Sequence, residues 1–217
     1  MLIVGLTGGV ASGKSAVSRI WKEEGTYLID ADRIARELVQ PQRPAWRAII
    51  KAFGKEVLQR DGAIHRKRLA ARVFSNPTER GSLNHILHPR IKKEIDRRLK
   101  GIGQRDPKAI VVIDAALLIE TGYYRSVDQV VIVISKKKQQ VERLKRREGM
   151  NQKQAQGIID AQISSEERMK VADFVIRNEG SLEETEKKAK EVLQKLKRMA
   201  LQRRRQANSG SKDMRRI

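Results

Sequence analysis

The sequence predicts an α/β fold, a parallel five-stranded sheet flanked by helices, and three observations predict it. Five short segments, residues 2–6, 27–29, 109–113, 129–134 and 174–176, are apolar and largely β-branched. Strands buried on both faces of a parallel sheet read this way, as near-continuous apolar runs rather than alternating ones. Longer helical stretches separate them, which is the alternation of a doubly wound sheet. The first strand also runs directly into Gly8-Gly9-Val10-Ala11-Ser12-Gly13-Lys14-Ser15, which fits G-x-x-x-x-G-K-[ST] at every fixed position and sits between a strand and a helix.

The elements follow in chain order. After the glycine-rich loop, Val17, Ile20 and Trp21 recur at helical spacing and Gly25 stops the run, so the first helix aims its dipole at whatever the loop holds. The second strand, 27–29, ends at Asp30-Ala31-Asp32. From there to residue 108 no strand is expected. Helices are predicted over 45–53 and 66–74, and a third begins at Asn76-Pro77, with Asn76 as N-cap and Pro77 as its first residue. Leu83, Ile86 and Leu87 continue its apolar face, Pro89 is expected to interrupt it after His88, and Ile91, Ile95 and Leu99 carry a following helix to Gly101. This all-helical insertion, 32–104, is a natural place for an acceptor-binding subdomain. A second helical excursion, 136–171, is rich in Lys, Arg and Gln and turns at Gly149 and Asn151; it occupies the position of a mobile lid. The core is expected to comprise 1–31, 105–135 and 172–202, and the last helix opens at the capping box Ser181-Leu182-Glu183-Glu184. Residues 203–217 are expected to form a basic, disordered tail.

Composition narrows the classes. Cysteine is absent, which excludes disulfides, thiolate metal sites and cysteine nucleophiles. No apolar stretch is long enough to span a bilayer and nothing near the first strand resembles a signal peptide, so a cytoplasmic protein without membrane contact is expected. Lys plus Arg number 47 against 26 acids, a formal net charge of +21, which raises nucleic acid as a partner. Nine of these bases, against the single acid Asp213, fall between Lys195 and the C-terminus. Nucleic-acid contact is therefore an expectation for the tail rather than for the core. Aromatics make up only 4%, too few for a base-stacking platform.

The loop's chemistry is phosphate binding. Gly8, Ala11, Ser12, Gly13 and Ala16 belong to a backbone cradle, Lys14 reaches the β- and γ-phosphates, and the Ser15 hydroxyl is a ligand for the Mg²⁺ that accompanies ATP. Asp32, at the carboxyl end of the second strand, can orient an acceptor hydroxyl and take its proton; Asp30 is the alternative, and helix capping is the competing role for either. Asp114 ends the third strand as an acid able to hold the Mg²⁺ shell. Arg143 and Arg147 lie one helical turn apart in the proposed lid and can neutralise charge on the transferring phosphoryl group. His85 and His88 have no third ligand at metal spacing, so His88 is read with Pro89 as shaping the acceptor subdomain.

Together these motifs resemble the dephospho-coenzyme A kinase family. The resemblance runs from Leu2 to about Leu196 and adds Ala35-Arg36-Glu37, Phe53-Gly54, Leu87-His88-Pro89, Leu117-Leu118-Ile119-Glu120, Ala161-Gln162 and Ala172-Asp173-Phe174-Val175-Ile176 with Asn178. It implies a P-loop kinase with a helical coenzyme-binding domain and a lid, and transfer of the ATP γ-phosphoryl group to the ribose 3′-hydroxyl of dephospho-coenzyme A. Asp32 matches the family's general base, Arg143 and Arg147 its lid positions, and Leu117, Leu118 and Glu120 its acceptor segment. Two positions depart from the pattern: Ala116 stands where Pro is common, and Ile119 replaces an aromatic. Another nucleoside or nucleotide kinase on the same fold, or a nucleic-acid-binding P-loop protein, are the rival readings.

Overall fold

The computed structural model describes the backbone of residues 1–213 and the side chains of residues 1–203. Its centre is a parallel sheet in the order β2-β3-β1-β4-β5, formed by β1 (Leu2–Gly8), β2 (Tyr27–Asp30), β3 (Ile110–Asp114), β4 (Gln129–Ile134) and β5 (Phe174–Arg177). Val4 pairs with Val112 of β3 on one side, and Leu6 with Val131 of β4 on the other. Both faces are covered. Leu2, Val4, Leu6, Val112, Val131 and Val133 pack with Val17, Trp21, Leu193 and Leu196 in one cluster, while Val111, Ile113, Val130 and Ile132, of the opposite parity, are buried as well. Two-sided burial is why the strands carry no polar alternation.

The chain divides into two compact units. The first, Met1–Ile29 with the chain from Ile102 onward, holds the sheet, α1 (Lys14–Glu23) and α9 (Leu182–Asp213). The Trp21 indole N–H donates to the Ala189 carbonyl at 2.8 Å, which fixes α1 against α9 inside an otherwise apolar contact. The excursion expected over 136–171 belongs to this unit and forms α6 (Lys137–Glu148), α7 (Gln152–Asp160) and α8 (Ser165–Met169). Gly149 closes α6 in the left-handed region, and Asn151 opens α7 through a reciprocal capping box with Gln154.

The second unit, Asp30–Gly101, is helical. It contains α2 (Ala31–Leu38), α3 (Pro44–Phe53), α4 (Arg66–Ser75) and most of α5 (Pro77–Arg105) around a core of Ile49, Phe53, Val57, Ile64 and Leu69. One expectation is corrected here. Pro89 does not end a helix: α5 continues through it and is 29 residues long in all. Proline removes one amide donor, which leaves the His85 carbonyl four residues before it without its usual partner; the Arg90 guanidinium donates to the neighbouring Ile86 carbonyl at 2.6 Å. The last helix also differs from expectation. Ser181 caps it as predicted, its hydroxyl accepting from the Glu184 amide at 3.1 Å, but α9 runs past residue 202 to Asp213. The expected basic tail, 203–217, thus coincides partly with this helix, and residues 214–217 lie outside the described residues.

Candidate active site

The glycine-rich loop takes its shape from two left-handed residues, Ala11 at φ 55° and Gly13 at φ 96°. Alternating handedness turns successive amides toward one concavity, the geometry that suits an anion. Gly13 is the N-cap of α1 and no side chain caps that helix, so the Lys14 and Ser15 amides have no carbonyl partner within the helix, while the Ala16 amide donates to the Gly13 carbonyl at 3.0 Å. Two glycines are dictated by space. A Cβ on Gly13 would stand 1.8 Å from Asn178 Nδ2, and one on Gly8 would stand 2.5 Å from the Val133 carbonyl oxygen.

The loop's carbonyls are occupied from outside. Arg143 Nη1 donates to the Ala11 and Ser12 carbonyls at 3.0 and 3.3 Å, and its Nη2 to the Asn178 carbonyl at 3.2 Å. Asn178 Nδ2 donates to the Ser12 carbonyl at 2.8 Å, while its Oδ1 accepts from the Thr185 hydroxyl at 2.8 Å. Val10 is held on both sides of its peptide: its amide donates to Gln162 Oε1 and its carbonyl accepts from Gln140 Nε2, each at 2.9 Å. With carbonyls spent on these donors, the cradle presents its positive side. A cleft of about 430 Å³ borders Gly9, Gln140, Gln162 and Arg168.

Lys14 Nζ donates to Asp114 Oδ1. Asp114 is 6% exposed, so the acid that ends β3 and the lysine that opens α1 form a partly buried pair at the carboxyl edge of the sheet. Burial, with nearby Arg146 adding to it, lowers the pKa of Arg143 from its ordinary value; the guanidinium stays charged at neutral pH.

The structure brings Gly8, Ala11, Ser12, Gly13, Lys14, Ser15, Ala16, Asp114 and Arg143 into one cradle. Arg147 is elsewhere: its side chain is 63% exposed and lies 3.8 Å from Glu148. It does not share Arg143's contacts. Leu118, expected beside Leu117 as an acceptor contact, lies in the core of this structure. It is fully buried, with Cδ2 so placed that a Cβ on Gly5 would come within 2.6 Å of it. Leu117 is 52% exposed. Glu120 pairs with Arg168, Nη2 to Oε1 at 2.7 Å.

In the helical unit, Asp30 takes the capping role weighed for it, its Oδ1 accepting from the Arg33 amide at 2.8 Å. Asp32 lies in the first turn of α2. His88 is half-buried in α5, and burial pulls its pKa down. Glu37 and Glu94 converge on Arg98, at 2.6 and 2.8 Å.

Four contributors escape a reading by motif and spacing: Gln140, Gln162, Arg168 and Asn178. Each acts on backbone or on a partner distant in the chain, where no spacing rule applies. Gln162 and Asn178 surface only in the segments that carry the family resemblance.

Comparison with known proteins agrees with this geometry. The dephospho-CoA kinase family profile matches residues 2–184. The chain is 40% identical to the dephospho-CoA kinase of Corynebacterium glutamicum over 193 residues, covering 89% of this chain and 98% of that one. It is 42% identical to that of Moorella thermoacetica over 198 residues, covering 91% and 93%. A solved dephospho-CoA kinase from Campylobacter jejuni superposes with a TM-score of 0.68 at 25% identity, covering 90% of this chain and 97% of the other.

Proposed function

Because the chain belongs to the dephospho-CoA kinase family, and is therefore an ATP-dependent phosphotransferase of coenzyme A biosynthesis, we propose that it phosphorylates the ribose 3′-hydroxyl of dephospho-CoA. The single observation that carries the site assignment is the cradle at residues 8–16, with Lys14 on Asp114 and Arg143 on the loop carbonyls. The helical insertion is read as the coenzyme-binding part and α6–α8 as the lid. A cytoplasmic location belongs to the same reading; among the described residues no helix is long and apolar enough to cross a membrane.

The proposed chemistry is an in-line transfer. Asp32 accepts the acceptor's hydroxyl proton as its oxygen bonds to the γ-phosphorus, the bond from that phosphorus to the bridging oxygen breaks, and ADP departs. Lys14 and the loop amides hold the phosphates, and Arg143 offsets charge on the equatorial oxygens. The donor set fits Mg²⁺: the Ser15 hydroxyl and Asp114 carboxylate are hard oxygens, and this ion is commonly held by one or two protein groups with phosphates and water. When bound it neutralises phosphate charge. No cluster of three acidic or histidine ligands occurs among the described residues, which suits such a shared site rather than a protein cage.

The test is incubation with Mg-ATP and a panel of dephospho-CoA, nucleosides and nucleoside monophosphates, with products identified by mass. Coenzyme A as the sole product is expected. Phosphorylation of another acceptor in its place refutes the substrate while leaving the phosphotransferase. Asp32→Asn is expected to retain ATP binding and lose most turnover; near-normal turnover removes Asp32 from the mechanism.

A further inference from the structure

Arg168, the penultimate of the five residues of α8, is a charged side chain only 2% exposed. Its Nη2 donates to Glu120 Oε1 at 2.7 Å, its Nε to the Ile163 carbonyl at 3.3 Å, and its Nη1 is buried with no hydrogen-bond partner. A buried guanidinium with an unsatisfied donor is a poor way to stabilise a fold, because an apolar side chain of similar volume would avoid the desolvation. Its partner is the clue to its use. Glu120 lies in the segment that leaves β3 just after Asp114, and the rest of that segment is tied to the sheet and to itself. Thr7 Oγ1 donates to the Ala116 carbonyl at 3.2 Å, Leu118 is wedged over Gly5, and Thr121 returns to the Leu117 carbonyl through both amide and hydroxyl, at 3.0 and 2.7 Å. Between these anchors Leu117 is left half exposed. The Glu120–Arg168 pair joins this segment to α8, and so to the same excursion that supplies Arg143 and Gln140 to the phosphate cradle.

We propose that Arg168 is a positioning residue for the acceptor: through Glu120 it holds the 116–121 segment, with Leu117 presented, in register with the ATP cradle. The proposal rests on the phosphotransferase reading of that cradle. Arg168 makes no hydrogen bond to the loop carbonyls, which Gln140, Arg143 and Asn178 occupy, so its loss is expected on the acceptor side.

The experiment compares Arg168→Met, Arg168→Lys, Glu120→Gln and the Met/Gln double variant, with KM for each substrate, kcat and melting temperature measured separately. Arg168→Met is expected to raise the acceptor KM by about tenfold and leave the ATP KM within about twofold. Arg168→Lys, which keeps the charge, recovers part of the loss. Glu120→Gln raises the same KM but lowers the melting temperature more than Arg168→Met does, because it leaves the more deeply buried charge without a counter-ion. The double variant should be no worse in acceptor KM than the worse single one, and should melt above Glu120→Gln. Parallel rises in both KM values, or multiplicative losses in the double variant, would overturn the positioning role. If the wild type turns over a different acceptor, the substrate reading falls, and the same split read with that acceptor decides the role of Arg168.

Discussion

Replacing Asn178 by alanine isolates the contribution of a residue that does no chemistry. Two hydrogen bonds vanish, from Nδ2 to the Ser12 carbonyl and from the Thr185 hydroxyl to Oδ1, both at 2.8 Å and both buried. Neither partner is wholly orphaned. Ser12 keeps Arg143 Nη1 at 3.3 Å, and Thr185 keeps the Ser181 carbonyl at 3.0 Å. The loss is then that of two ordinary hydrogen bonds at about 1 kcal/mol each, or about 2 kcal/mol, which lowers the melting temperature of a chain this size by about 4–8 °C. The Ser12 bond also holds the phosphate loop in its working shape. If its ~1 kcal/mol is withdrawn from that state, the ATP KM rises about fivefold. Asn178→Asp is the sharper variant: it keeps an acceptor for Thr185 but places a carboxylate oxygen against the Ser12 carbonyl, and its ATP KM should exceed that of the alanine variant. Thermal melts and a coupled assay at saturating acceptor read both quantities. A melting loss with unchanged ATP KM would refute the link between Asn178 and loop geometry; no change in either would refute the whole argument.

Gly13→Ala meets both a left-handed φ of 96° and a Cβ placed 1.8 Å from Asn178 Nδ2; with the backbone cost alone at about 1–2 kcal/mol, ATP affinity measured by titration should fall more than tenfold. In the helical unit, the Arg97 guanidinium, with Arg98 beside it, holds the Glu94 carboxyl down to about 2 from an ordinary 4.5. A depressed carboxyl stabilises above its unfolded pKa and loses that contribution as pH falls toward the folded value. Glu94→Gln should therefore melt lower than wild type at pH 7, by about 1–2 kcal/mol given the exposure of Arg97, and the difference should shrink below pH 4.5; a difference independent of pH would refute the ionic origin.

The sheet and the cradle were legible because their signals are local. Each strand shows as an apolar run, and the glycine-rich loop is a contiguous motif whose backbone and side-chain roles lie within nine residues of sequence. Asp30 posed a choice that local pattern leaves open, between chemistry and capping, and the capping bond from the Arg33 amide becomes visible only in the structure. Pro89 misleads for a different reason: its missing amide removes a single backbone bond, and the helix continues on either side of it. Leu117 and Leu118 are adjacent and chemically identical, yet one is exposed and the other fully buried; only the direction of the chain over Gly5 separates them. Asn178 and Arg168 were illegible as site residues by spacing because their partners, Ser12 and Glu120, lie 166 and 48 residues away.

That 166-residue span between Ser12 and Asn178 also orders events during synthesis. The phosphate loop is translated well before Asn178, and the side chain that donates to the Ser12 carbonyl arrives only after β5 has been made. At about 5–20 residues per second, the interval is on the order of ten seconds or more, during which the nascent chain carries the complete motif without its clamp. Nucleotide held during that interval is held without this clamp, with the roughly fivefold weaker grip expected of Asn178→Ala.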